Sequence, residues 1–212
     1  MKRLRSGILV PDDCPPADGR SPSLILVHLE IGPVTREGRP LAPPYRQWSH
    51  SWTKQMAQLI NTMMRMTADT AVKDTGGTLR TSSTTASPPL DCIAGAGGTV
   101  EGIEVGTGTT AESADDYVLA AKIAEGSGAG QLNYQASVGY AIEAVTGGYR
   151  ITLDRQLNNN SGGTIVIAEM GLVAQHTASA FMFLILRDVL SSTYSLATGA
   201  AAVARYKIDF LV

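Results

Sequence analysis

Charge is scarce in this chain of 212 residues: Asp, Glu, Lys and Arg make up 17% of it, where a soluble domain usually carries about a quarter. The formal net charge is only −2. Binding a phosphate backbone takes clustered Lys and Arg. The one basic cluster, Lys2, Arg3 and Arg5, reads as a solvated terminal arm, so no nucleic-acid partner is expected. Cysteine is almost missing too. Cys14 and Cys92 form neither a CxxC nor a Cys/His spacing, which argues against zinc, and a disulfide between them stays open because sequence cannot establish it. Long apolar runs are absent: the longest, 178–186, stops at Arg187 and Asp188, well short of the roughly 20 residues of a membrane span. The opening MKRLRSGILVPDD has a basic run but only a short apolar stretch before Pro11. No secretory signal is expected, and the chain reads as soluble and made in a cytoplasm.

Motifs that carry chemistry are lacking as well. His28, His50 and His176 have no metal-ligand spacing, and neither a GxSxG elbow nor an HExxH pair occurs. Gly95-Ala-Gly-Gly98 lacks the GK[ST] ending of a phosphate loop and precedes a strand-like run rather than a helix; Gly126-Ser-Gly-Ala-Gly130 reads as a flexible turn. Asp12-Asp13 and Asp115-Asp116 lack the DxDxDG pattern of a calcium loop, and the second pair reads as turn chemistry. Asn159-Asn160-Ser161 matches a glycosylation acceptor only formally. No catalytic, cofactor-binding or metal-binding residue is assigned, and the chain is not expected to be an enzyme.

What is plentiful is small and flexible: 22 glycines, with Ser, Thr and Ala filling much of the rest, beside an ordinary 44% of hydrophobic residues. Residues 1–46 read as an extended Pro-rich arm carrying one strand, 23–31 (SLILVHLEI), able to complete a sheet of this chain or of a neighbour. Residues 47–68 read as an amphipathic helix, with Trp48, Trp52, Met56, Leu59, Ile60, Met63 and Met66 at helical spacing and Ser49 or Ser51 as its cap. That face either packs on a sheet or meets a partner, its Trp and Met residues making an adaptable surface. Residues 69–99 read as a Gly/Ser/Thr-rich loop, or a pair of weak strands around 78–85.

From 100 to 212 the signals are those of a sandwich core. Candidate strands are 103–105, 138–145, 149–157, 164–173 and 181–187, the last buried on both faces; Tyr117, Leu119 and Ile123 follow a turn-rich SADD stretch, and Leu132 and Tyr134 alternate with polar neighbours. In the final strand Tyr206, Ile208, Phe210 and Val212 alternate with Arg205, Lys207 and Asp209. Gly147-Gly148 and the Asn-rich 158–163 are hairpin turns. The expected fold is mainly β, an antiparallel β-sandwich or jelly roll with an extended N-terminal arm and one amphipathic helix.

Several phrases between 48 and 212 resemble runs common among tailed-bacteriophage virion structural proteins. They are 102–111 (GIEVGTGTTA), 115–119 (DDYVL), 123–126 (IAEG), 130–134 (GQLNY), 151–153 (ITL), 159–163 (NNSGG), 167–172 (IAEMGL) and 183–190 (FLILRDVL), with 49–52 (SHSW) leading on to 73–77 (KDTGG). The resemblance implies a virion component and carries no catalytic residue over. Arg187 and Asp188, at the exit of an apolar strand, read as a surface ion pair or a contact across a subunit boundary.

The expected function is therefore a structural component of a bacteriophage virion, assembled in the host cytoplasm and packed against copies of itself and other virion proteins. A chain this short, without a long spine-helix pattern, points to a peripheral position: head decoration, collar or tail. The candidate assembly contacts are Trp48, Trp52, Met56, Leu59, Met63, Arg187 and Asp188. The competing expectation is a receptor- or carbohydrate-binding module of a tail fibre, reading a host surface glycan through Tyr140, Tyr149 or Tyr194.

Overall fold

Three stretches of 11 residues with alternating side chains build the larger sheet, and their apolar members decide which face is dry. The structure, a computed structural model, describes residues 2–3, 9–10, 24–49, 51–65, 69–82, 90–176 and 181–211. In chain order the elements are β1 (Lys2–Arg3), β2 (Leu9–Val10), β3 (Leu24–Val34), β4 (Tyr45–Trp48), α1 (Lys54–Arg65), β5 (Asp69–Lys73), β6 (Leu79–Ser82), β7 (Gly102–Gly106), β8 (Asn133–Gly139), β9 (Glu143–Val145), β10 (Gly148–Asn158), β11 (Ile165–His176), β12 (Phe181–Leu196) and β13 (Ala201–Leu211). The protein is mainly β, as the alternation predicts, with antiparallel sheets, a sandwich-like arrangement and one short helix among the described residues.

The larger sheet runs β4-β3-β13-β10-β8, with β9 also on β10; the smaller runs β12-β11-β7. β5 and β6 form a separate hairpin, as do β1 and β2. The strand expected at 23–31 thus completes a sheet of its own chain, deep in the fold, between β4 and β13. Gly32 makes the next turn possible: a Cβ there would lie 2.7 Å from the Cβ of Pro44, which rests on the strand.

The inner face of the larger sheet is a stack of cross-strand rows. Ile31 pairs with Ala204, Leu29 with Tyr206 and then Leu153, Val27 with Ile208 and then Ile151. Opposite them Ile103, Val105, Ile167, Met170, Leu172, Phe183 and Ile185 of the smaller sheet close one continuous core. The Tyr206 hydroxyl, fully buried, donates to Asp188 at 3.3 Å, and burial holds its pKa well above the ordinary phenol value.

The helix is shorter than its apolar spacing suggests. Residues 51–53 instead bond the edge of β12, through Thr53 N–H to the Ile185 carbonyl and Arg187 N–H to the Ser51 carbonyl. Trp48 ends β4, paired with His28, and is not helical. Its aromatic side chain suits a pleated edge, and the helical register of Trp48 and Trp52 with Met56 is a coincidence of spacing. Met66 lies outside the described residues, as do His50 and Cys14. Ser49 does not cap α1; its hydroxyl donates to Asp188 at 2.7 Å.

Residues 107–122, which hold Tyr117 and Leu119, form an irregular roof over the outer face of the smaller sheet. Two buried charges tether it. The Glu169 carboxylate accepts from the backbone N–H groups of Gly108, Ala120 and Ala121 and from Arg187 Nε, the last at 2.9 Å. Arg187 also donates to Asp116 Oδ2 at 2.7 Å and to the carbonyls of Thr110 and Ala111. A Cβ on Gly106 or Gly108 would collide with the Glu169 carboxylate, which explains the glycines of the GTG turn.

Arg187 and Asp188 are therefore interior, 2% and 0% exposed, rather than a surface ion pair or side chains presented to a neighbouring subunit. The roof covers the strand exit that the sequence leaves looking bare. Burial works against the Arg187 cation, but its bonds to Asp116 and Glu169 outweigh that and raise its pKa. Breaking such a buried pair strands the partner charge. Arg187→Met is expected to lower unfolding stability by about 3–5 kcal/mol in urea titrations, whereas Arg187→Met with Glu169→Gln restores part of the loss.

Candidate functional site

The smaller sheet does not reach the end of the larger one. Along the inner face, exposure climbs row by row: Leu29 and Tyr206 are at 0%, while the last row, Ile25, Phe210 and Tyr149, stands at 49%, 42% and 60%. These three residues are neighbours across β3, β13 and β10, so a strip of apolar inner face is left bare at one end of the sandwich.

Beside that strip lies a groove of about 630 Å³. Ile151, Leu153 and Ile208 line it from the larger sheet; Met56 and Ile60 line it from α1, and Trp52 from the segment just before the helix. Residues 90–93 supply the remaining wall, and Thr53 and Asp91 are the polar side chains in an otherwise apolar lining. Both are occupied: the Thr53 hydroxyl donates to the Leu184 carbonyl, and Asp91 Oδ1 accepts from Ile93 N–H at 3.0 Å. Cys92, a free and buried thiol on the same wall, is pushed up to about 12 by burial, with Asp91 adding to it. It is protonated, and no thiolate chemistry follows.

Of the candidate assembly contacts, Trp52 and Met56 share this groove. Leu59 faces inward at 0% exposure, on the side of α1 where Thr62 hydrogen-bonds Ser82 at 2.7 Å. Met63 is 37% exposed and does not line the groove, and Trp48 belongs to the opposite face of the sheet. Ile25, Leu90, Ile93 and Phe210 escape a reading of the sequence. For Ile25 and Phe210 the one signal is that alternation runs apolar to the very end of β3 and β13, with no polar residue marking where the cover stops.

The outer face of the larger sheet is the opposite in character. Arg46, Glu30, Arg205 and Asp154 alternate in sign across four strands in one row. Asp209 and Arg150 pair in another, 2.6 Å apart, and Lys207 reaches Glu30 at 2.8 Å. His28 lies 3.5 Å from Asp209 and packs its ring 3.6 Å from that of Trp48. The Arg150 hydrogen bond holds Asp209 below the usual carboxylate range against the opposing effect of burial. Burial pushes Glu30 up, but Lys207 and Arg46 together outweigh it and leave it lowered. Burial also lowers His28, opposed by Asp209.

Among the described residues no group of three or more His, Cys, Asp or Glu is placed to hold a metal ion, and no helix is long and apolar enough to cross a membrane. Tyr140 and Tyr149 are half-exposed or more, whereas Tyr194 packs against the core.

The carboxylate shifts fix an acid response. A depressed folded pKa contributes stability above the unfolded value of about 4, and that contribution disappears as pH falls through the folded pKa. His28, lowered, adds a shallower loss as pH falls below about 6.5. Urea midpoints are expected to dip slightly as pH falls below about 6.5 and to fall steeply below about pH 4. His28→Gln should remove the first phase, and Asp209→Asn should flatten the second. Set against protein families, curated proteins and solved structures, the chain matches none of them significantly.

Proposed function

We propose that this chain is a structural component of a tailed-bacteriophage virion, packed at a peripheral position (head decoration, collar or tail) against copies of itself and other virion proteins. The observation that carries the assembly half of this reading is the bare apolar end: Ile25, Phe210 and Tyr149 in a row, beside a groove walled by Trp52, Met56 and Ile60. Exposed apolar area of this kind, continuous with a core, is what an interface covers. The virion half rests on the resemblance of several phrases, among them 102–111 and 183–190, to runs in phage structural proteins.

The sheet edges are partly closed. Residues 51–53 bond β12 at 185–187, 121–123 bond β7, and 94–97 bond β8. β4, of 4 residues, and β9, of 3, are too short to template another chain's strand. Association through a face is therefore favoured, and the larger sheet's outer face has already neutralised its charges internally.

Sedimentation of the purified protein is expected to show reversible association within about 0.1 mM. Phe210→Asp or Ile25→Asp, at half-exposed positions, should abolish it with an unchanged circular dichroism spectrum. A protein that stays monomeric, and is missing from the mass spectra of purified particles, would refute the proposal.

A further inference from the structure

A second depression, of about 750 Å³, crosses the outer face of the larger sheet. Its floor is the charged row Glu30, Arg205 and Asp154, with Lys207 and Gln156 beside it. One wall is the turn between β3 and β4, bringing Glu37, Pro40 and Pro44; the other is β8 and the residue after it, bringing Val138 and Tyr140. That turn is held in place. Gln156 Nε2 donates to the Arg36 carbonyl at 3.0 Å, and Arg36 donates to Asn160 Oδ1 at 2.7 Å.

Three properties of this trough point to one ligand chemistry. Its charges balance, Arg46, Arg205 and Lys207 against Glu30, Glu37 and Asp154, so it offers no net attraction to an ionic ligand. Lys207 apart, its charged and amide groups are planar guanidinium, carboxylate and carboxamide groups, which can bridge vicinal hydroxyls; Arg46 keeps 67% of its side chain exposed while its Nε holds Glu30. And Tyr140 presents a ring, 50% exposed and anchored by its hydroxyl to Asp154 Oδ2 at 3.0 Å, which suits the apolar face of a pyranose. A volume of this size is that of a small-ligand site. We propose that the trough is a binding site for a neutral saccharide, with Tyr140 as its stacking platform. The proposal is independent of the apolar end and of the virion assignment.

The test is saturation-transfer NMR with a panel of neutral hexose and N-acetylhexosamine oligosaccharides, beside sialylated and uronic-acid oligosaccharides. At least one neutral member is expected to bind. Tyr140→Ala should weaken it by about tenfold or more, and Tyr140→Phe, which keeps the ring, by no more than about twofold. Val138→Arg, at an exposed position on the same wall, blocks the trough without touching Tyr140 and should also abolish binding. Silence across the neutral panel up to about 10 mM, binding of acidic saccharides alone, or binding that survives both Tyr140→Ala and Val138→Arg would each overturn the proposal.

Discussion

β13 is the strand on which the architecture turns. It pairs with β10 on one side and β3 on the other along its whole length, without a bulge on either side. Because side chains alternate with period two, that register sends Tyr206 and Ala204 into the core and Arg205, Lys207 and Asp209 to the other face. A slip by one residue would bury the charges and expose the rows that the smaller sheet covers. The dry face and the salted face are two consequences of one pairing.

The long connections obey a different rule. They carry few apolar residues, and buried charges hold them by their backbone. Glu169 collects N–H groups of the 107–122 roof. Arg155, fully buried on the inner face, donates to the carbonyls of Gly95, Gly98, Glu101, Ile103 and Gln135, with its guanidinium over the Tyr134 ring. Burial lowers the Arg155 pKa, with nearby Tyr134 and Glu104 opposing it, and the carbonyl dipoles compensate the cation in place of a carboxylate. Strand ladders thus make the frame, while single ionic side chains fasten to it the Gly-rich segments that have no ladder of their own.

This division explains what could be read in the sequence. The strands of β3, β10, β11 and β13 announce themselves by alternation and by the Gly and Asn turns between them, because each depends on its own residues. Arg187 and Glu169 do not. Besides each other and Asp116, their partners are backbone groups about 50 to 80 positions away, and an Arg-Asp pair after an apolar run looks the same whether or not a loop lies over it. The helix start was misleading for a related reason: 51–53 are claimed by the edge of β12, a competitor that helical spacing cannot reveal. Of the candidate site, Met56 is legible as an apolar helix position, while Trp52 is picked out by the same spacing although it precedes the helix. Ile25 and Phe210 were legible only as core, since the length of the opposing sheet is a property of three other strands.

The two faces also differ in what they can still give to a partner. Burying a large apolar side chain fully is worth roughly 1.5–3 kcal/mol, and Ile25, Phe210 and Tyr149 have realised about half of that or less in the isolated chain. The remainder is released only when something dry covers them, so this end favours shape and area over chemistry. On the outer face Glu30, Asp154 and Asp209 already sit under their cations, and another protein's charges would displace pairs as good as those they form. A ligand that keeps those pairs intact, adding hydrogen bonds at their exposed nitrogens and resting on a ring, loses nothing by binding there. On the two proposals made above, apolar bulk at one end and a hydroxyl-rich ligand on the outer face are the partners that these surfaces would hold at least cost.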